Sequence, residues 1–350
     1  ELVYIESYTR KSEQGYIKVL NIMEKEVYSY RDGITLCVIV SRELNFFSFF
    51  YFLSANHFQI CYNIIKKDVG GSCMLTVIMI FLGIAVLLLF DGVLENYFPT
   101  TKEYSIQSPK IKEEKKVVLL TDLHACCVGG KKDKYLQMIQ KQNPDILLLA
   151  GDMTVKNGKR TDCVIEFLKG IRSIAPVYYA PGNHEIRMPE YESFIRAVQN
   201  LGIHYLSNAT EKMDEMDIYG LDLPEYWYHK FWEKRDFSKE EVEKLLGSPK
   251  KDTFSILIAH NPEYFPYYAA WGADLTVSGH IHGGIMRLPW LGGVISPSLR
   301  LFPKYDSGEF EENGKKMILS RGMGLHHIKL RFFNRPEISV IKITCQDKSK

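Results

Sequence analysis

Asp122 and His124 stand two positions apart and begin a series of metal-type side chains that recurs along the chain. Asp152 follows Gly151, Asn183 and His184 sit between Gly182 and Glu185, His260 stands alone, and His280 and His282 follow Gly279. Carboxylate, imidazole and an amide carbonyl, with no thiolate among them, suit Mn, Fe or Zn rather than a sulfur-bound structural zinc. With His184 set aside, the candidate ligands are Asp122, His124, Asp152, Asn183, His260, His280 and His282. That set is too large for a single ion that keeps open positions. Two divalent ions about 3.5–4 Å apart, sharing a carboxylate, would use it all in a centre that activates water. Residues i and i+2 of a strand point the same way, so Asp122 with His124, and His280 with His282, can each converge on one centre. Gly151, Gly182 and Gly279 precede ligands where tight turns and close backbone approach are needed.

Each cluster closes an apolar run. VVLL leads to Asp122, DILLLAG to Asp152, VYYAPG to Asn183, FSILIA to His260 and LTVSG to His280. Buried strands that stop at polar ligands are how an α/β sheet builds a site at its carboxyl edge. Asp122 to Asp152 spans 30 residues and Asp152 to Asn183 spans 31, each the length of one strand–helix–strand unit. The pattern predicts helices over 132–142, 162–171 and 191–202, the last capped by Gly202. A further charged helix opens at Ser238-Lys239-Glu240-Glu241, a capping-box pattern. Residues 216–223, 315–321 and 337–344 read as strands. Alternation first and strand-rich sequence later predicts an α/β fold of two packed sheets with helices outside.

Composition narrows the function. Charged residues are 25% of 350 and nearly balance, at +2, so no bulk basic field points to nucleic acid. Seven cysteines are scattered without a CxxC pair, which predicts neither a disulfide framework nor a zinc ribbon.

The N-terminal part has a different character. Residues 1–73 are expected to be a poorly ordered extension. The apolar tract 44–65 is interrupted by Asn45, Asn56, His57, Gln59 and Asn63, each costly in hydrocarbon. Val69-Gly70-Gly71-Ser72-Cys73 can be encoded by a purine-rich stretch resembling a bacterial ribosome-binding site just before the Met74 codon. Two readings follow: residues 1–73 are translated upstream DNA, or they are a natural extension. Met74 to Phe90 is free of charge and, at a helical rise of about 1.5 Å per residue, reaches roughly 25 Å, near the short end of a bilayer span. A transmembrane anchor is therefore expected over 74–94, a lysine-rich juxtamembrane linker over 95–116 and the catalytic domain over 117–345. Lys66 and Lys67 favour an external catalytic domain, whereas Lys102, Lys110, Lys112, Lys115 and Lys116 pull the other way.

The ordered blocks DxH, GD, GNHE, a lone His and GHxH resemble the signature of the calcineurin-like metallophosphoesterases. The resemblance implies a four-layer α/β/β/α sandwich. Asp122, His124 and His282 would hold one ion, Asn183, His260 and His280 the other, with Asp152 bridging. His184 would face the phosphate as transition-state stabiliser or general acid. The hydrophobic N-terminal segment, RLPWLGGVISPSLRLFPKYDSGEF, SRGMG and RFFNRPEI are similar to a bacterial membrane-anchored YkuE/YaeI-type subgroup. The implied activity is a phosphodiesterase or pyrophosphatase using a metal-bridging hydroxide. The alternatives are a phosphomonoesterase with the same site and a non-catalytic metal-binding scaffold. A lipid-linked or nucleotide-type phosphoester, an extracytoplasmic catalytic domain at the cell membrane, and no nucleic-acid or protein partner complete the expectation. Ala125-Cys126-Cys127 departs from the usual small or polar residues after DLH, and is expected to be simple loop packing. Tyr226, Trp227 and Tyr228 are expected to cap the core, and His204, His229, His326 and His327 to lie outside the site.

Overall fold

The computed structural model describes residues 5–12, 15–22, 71–127, 130–228, 236–284, 286–288, 291–296, 301–325 and 330–346. Contacts divide the chain into two units, 1–83 and 84–350. In the first, strands β1 (Ile5–Ser12) and β2 (Gly15–Ile22) form an antiparallel hairpin. The expectations for tract 44–65 fall outside the described residues. Helix α1 (Gly71–Leu94) crosses from the first unit into the second.

In the second unit, two six-stranded sheets face each other. The first has the order β3 (Thr100–Ser108), β16 (Glu337–Cys345), β4 (Lys115–Leu120), β5 (Ile146–Ala150), β6 (Val177–Ala180), β7 (His204–Tyr205). Strands β4 to β7 are parallel, β16 is antiparallel to β4, and β3 runs parallel to β16. The second has the order β14 (Gly308–Glu312), β15 (Lys315–Leu319), β11 (Leu275–Ser278), β10 (Phe254–Ala259), β9 (Met216–Leu221), β8 (Ala209–Met213). Its four central strands are parallel and its edges antiparallel, while β12 (Met286–Leu288) and β13 (Gly292–Ile295) form a separate antiparallel pair.

The apolar runs become central strands because parallel strands covered on both faces need continuous hydrophobic sequence. The period of two then sorts them. Val117, Leu119, Ile146 and Leu148 meet Ile218, Ile256, Ile258 and Val277 between the sheets. Val118, Leu120, Leu147 and Leu149 point the other way, against helices α2 (Gly130–Gln140), α3 (Thr161–Arg172) and, through Phe194 and Val198, the helix over Tyr191–Asn200. On the far face of the second sheet, Leu257 and Ala259 pack under helices over Lys239–Leu246 and Phe265–Trp271. The result is the expected helix–sheet–sheet–helix order. Gly202 sits just past the end of its helix at φ 72°. Ser238 is an N-cap as predicted, although its side chain makes no cap hydrogen bond.

Two findings differ from expectation. Residues 100–108, read as linker, form β3 and pair with β16 from Thr100↔Glu337 to Ser108↔Cys345. The cysteines also pair: Cys127 is disulfide-bonded to Cys163 on α3, with Cα atoms 6.2 Å apart, while Cys126 is free. The bridge spans 36 residues, so no short spacing advertised it.

Helix α1 is the one helix among the described residues long and apolar enough to cross a membrane, over Ile78–Tyr97. Phe81, Leu82, Leu87 and Phe90 are all more than half exposed, which excludes a buried core helix. By length and composition it is a candidate membrane span.

Candidate metal centre

The ligand-type residues gather where β4, β5, β6, β10 and β11 end. Strand alternation is not what converges the pairs. Strand β4 stops at Leu120 and β11 at Ser278, so Asp122, His124, His280 and His282 all lie in loops. Those four residues and Asp152 have left-handed φ values of 52°, 46°, 74°, 55° and 55°. For side-chain-bearing residues this costs on the order of 1–3 kcal/mol each, so the surrounding structure must impose it. It does so by lacing the first two loops together. The Asp122, His124 and Ala125 N–H groups donate to the carbonyls of Gly151, Asp152 and Met153, each at 3.0 Å.

Glu185 fixes the third loop. Fully buried, its carboxylate accepts the N–H groups of Gly182 at 2.9 Å, Asp152 at 2.8 Å and Thr154 at 3.0 Å. Nothing in the sequence assigned Glu185 a role beyond its place directly after Asn-His, the one signal available. Gly182 is needed for space, since a Cβ there would stand 2.7 Å from the Asp152 nitrogen.

Three sets of donor atoms lie within 4.8 Å of one another: Asp122, His124 and His282; Asp152, His260 and His280; and His124, Asp152 and His184. Nε2 of His124 and of His282 are 3.0 Å apart, and Asp122 Oδ1 is 3.4 Å from His282 Nε2. Asp152 Oδ2 lies 3.2 Å from His260 Nε2 and 3.9 Å from His184 Nε2. The Asp122 carboxylate accepts the His280 N–H at 3.1 Å, joining the two halves.

The donor set fits cations. His260 Nδ1 donates to the Ala150 carbonyl at 2.7 Å, which leaves Nε2 as the atom facing the carboxylates. That Nε2 meets the Asp152 carboxylate at 3.2 Å, and the Asn183 Oδ1 is buried without a hydrogen-bond partner among the described residues. Burial, with the nearby Asp152 charge, pushes the Asp122 carboxyl up to about 7. Burial works the same way on Asp152, but His260, His184 and His124 hold it well below the usual carboxylate range. Burial disfavours charge on His260, yet Asp152 and Asp122 raise it to about 10. The pocket therefore demands positive charge, and a metal must displace a proton to supply it. Because a raised pKa means a tightly held proton, apparent metal affinity is expected to rise with pH through about 7, where Asp122 ionises, and on toward about 10, where His260 loses its proton, with proton release on binding. Calorimetry in buffers of different ionisation enthalpy measures both.

His184 is buried, and its Nδ1 accepts the Lys156 N–H at 3.3 Å while its own N–H donates to Asp152 Oδ1 at 2.8 Å. A neutral His184 thus carries its proton on Nε2, the atom facing His124 and Asp152. Of the aromatic trio, Trp227 is buried in the outer core as expected. Tyr228 instead lies beside the site, its ring 5.5 Å from that of His280 and 6.0 Å from that of His260. His204 stacks on Tyr178 away from the cluster; His229, His326 and His327 lie outside the described residues.

Residues 115–284 match the family model described as calcineurin-like phosphoesterase. This chain carries a calcineurin-like metallophosphoesterase domain. An uncharacterized metallophosphoesterase of Helicobacter pylori is 27% identical over 70% of this chain and 64% of its own length. The chain thus spans less than two thirds of that relative. The Bacillus subtilis protein YkuE, also uncharacterized, is 26% identical over 71% of this chain and 87% of its own. A zebrafish transmembrane protein with metallophosphoesterase domain is 25% identical over 78% of this chain and 63% of its own. The family binds divalent metals, and the clustered donors described above are this domain's candidate site.

Proposed function

We propose that this metallophosphoesterase domain hydrolyses a phosphodiester or pyrophosphate at a centre of two divalent ions. The observation that carries the reading is Asp152, whose carboxylate belongs to donor sets on both sides of the pocket. Asp122, His124 and His282 would hold one ion and Asn183, His260 and His280 the other, with the Asp152 carboxylate available to both. Bound there, Mn, Fe or Zn supplies an acidified water and neutralises charge on the phosphoryl oxygens. The chain's own groups do the rest. Glu185 holds the Asp152 and Gly182 backbones in register. His184 Nε2–H donates to a phosphoryl oxygen or to the departing oxygen.

A membrane location supports an amphiphilic, lipid-linked or nucleotide-type substrate. The uncovered helix α1 and the zebrafish relative's name favour a single-pass anchor. The Cys127–Cys163 bridge favours an extracytoplasmic catalytic domain, because disulfides persist in oxidising compartments.

The test is hydrolysis of bis-p-nitrophenyl phosphate against p-nitrophenyl phosphate by the full chain in detergent with Mn²⁺. The diester is expected to be preferred. Preference for the monoester moves the reaction to phosphomonoester hydrolysis, and silence on both with two ions bound leaves a metal-binding scaffold.

A further inference from the structure

The end of the apolar helix is hydrogen-bonded into the loop that carries His282. Glu95 follows α1 directly and is 8% exposed despite its carboxylate. Its Oε2 accepts the backbone N–H of Asn334 at 2.6 Å. Asn334 is itself fully buried and reaches the other way. Its Nδ2 donates to the carbonyl of His282 at 2.8 Å and to that of Gly284 at 2.7 Å. Both amide hydrogens are used on one turn, the turn that leaves His282 at its left-handed φ.

The neighbouring arginine repeats the arrangement. The Arg331 N–H donates to the Gly92 carbonyl at 3.0 Å, on the last turn of α1. Its buried guanidinium donates to the carbonyls of Arg321 at 3.0 Å and Asn334 at 3.1 Å, and to that of Gly324 at 2.5 Å. The Gly324 N–H in turn donates to the Asp122 carbonyl at 2.7 Å. Residues 331–334 are thus stitched on one side to positions 92–95 and on the other to the loops of Asp122 and His282. Asn183 and His260 have no such tie to the helix end among the described contacts.

We infer that Glu95 and Asn334 are positioning residues of the metal centre, and that the end of the membrane helix is part of the scaffold fixing the ion at Asp122, His124 and His282. The inference rests on the two-ion reading above. The Glu95 side-chain oxygen accepts the Asn334 N–H and so holds Asn334, and Asn334 holds the strained turn of His282. Partners one step removed from a metal typically contribute 10–100-fold to its affinity. The anchor is therefore not a passive tether, and the ion at Asp122, His124 and His282 depends on it more than the ion at Asn183, His260 and His280 does.

The experiment is Mn²⁺ titration of the full chain in detergent micelles, by calorimetry with electron paramagnetic resonance to report paired ions. Asn334→Ala and Glu95→Ala are expected to weaken one ion about tenfold or more and the other distinctly less. Glu95→Gln keeps an acceptor for the Asn334 N–H and is expected to hold both ions as the wild type does. Asn208→Ala is the control for a purely structural amide, since Asn208 clamps the Asp222 backbone through both side-chain atoms. Should Asn334→Ala not fold, Glu95→Ala decides, because it leaves Asn334 in place. Both ions held at wild-type affinity in folded Glu95→Ala overturns the inference, as does equal weakening in Asn208→Ala. A wild-type chain that takes up no metal overturns the two-ion reading and this inference with it, a result distinct from selective loss in the variants.

Discussion

Asp152→Asn is expected to leave the protein folded and to abolish the paired metal centre. The amide keeps the shape of the carboxylate and one oxygen able to accept the His184 N–H, now made to Oδ1 at 2.8 Å. What it removes is charge. Two divalent ions about 4 Å apart repel by about 17 kcal/mol at an effective dielectric near 20, so a shared anion is what allows both to stay. Asp122 is the poorer bridge, because its Oδ1 lies 3.4 Å from His282 Nε2 but 3.9 Å from His260 Nε2, to which Asp152 Oδ2 comes within 3.2 Å. Metal content should fall from two ions to one or none, and diester turnover by at least about 10³, the scale of removing a main electrostatic element. Elemental analysis and turnover on the same preparation measure both. Two ions retained with near-normal turnover would show that Asp152 does not bridge.

The gathering of the candidate donors was legible in the sequence because the pattern behind it is local. Each ligand follows an apolar run, and runs such as ILLLA and FSILIA have no reason to be continuous unless buried on both faces. What joins the blocks was less legible. The convergence of Asp122 with His124 was expected from strand alternation, and instead it arises from left-handed loop residues after the strand has ended. Left-handed backbone is a tertiary imposition here, secured by hydrogen bonds between the loops, and no local pattern marks it.

Strand β3 is a different kind of miss. Its partner β16 lies more than two hundred residues away, and Lys102 and Glu103 gave the stretch the look of a linker. Yet Tyr104, Ile106 and Ser108 are buried while Glu103, Ser105 and Gln107 are exposed, and that alternation was in the sequence to be read. The Cys127–Cys163 bridge and the Glu95–Asn334 contact carried no comparable trace. Both depend on which loops the sheets bring together, which only the assembled fold decides. The charged end of an apolar helix is ordinarily read as solvent-facing, and here burial of Glu95 shows it working inside the protein.

His184→Ala should separate chemistry from metal binding at this site. The substitution removes the imidazole whose Nε2–H faces the pocket and frees the Lys156 N–H, while the backbone N–H that bonds Asp152 stays. Both ions are therefore expected to remain, and turnover to fall about 10²–10⁴-fold. The leaving group shows which role is lost. A p-nitrophenolate departs without needing a proton, whereas an alkoxide does not, so a general acid predicts a much larger loss on an alkyl diester. Equal losses on both would assign His184 to stabilising charge on the phosphoryl oxygens instead. A third outcome bears on the geometry itself, because His184 also satisfies the distances of a metal ligand with His124 and Asp152. If the variant holds one ion rather than two, His184 is a ligand, and the proton on its Nε2 gives way to metal.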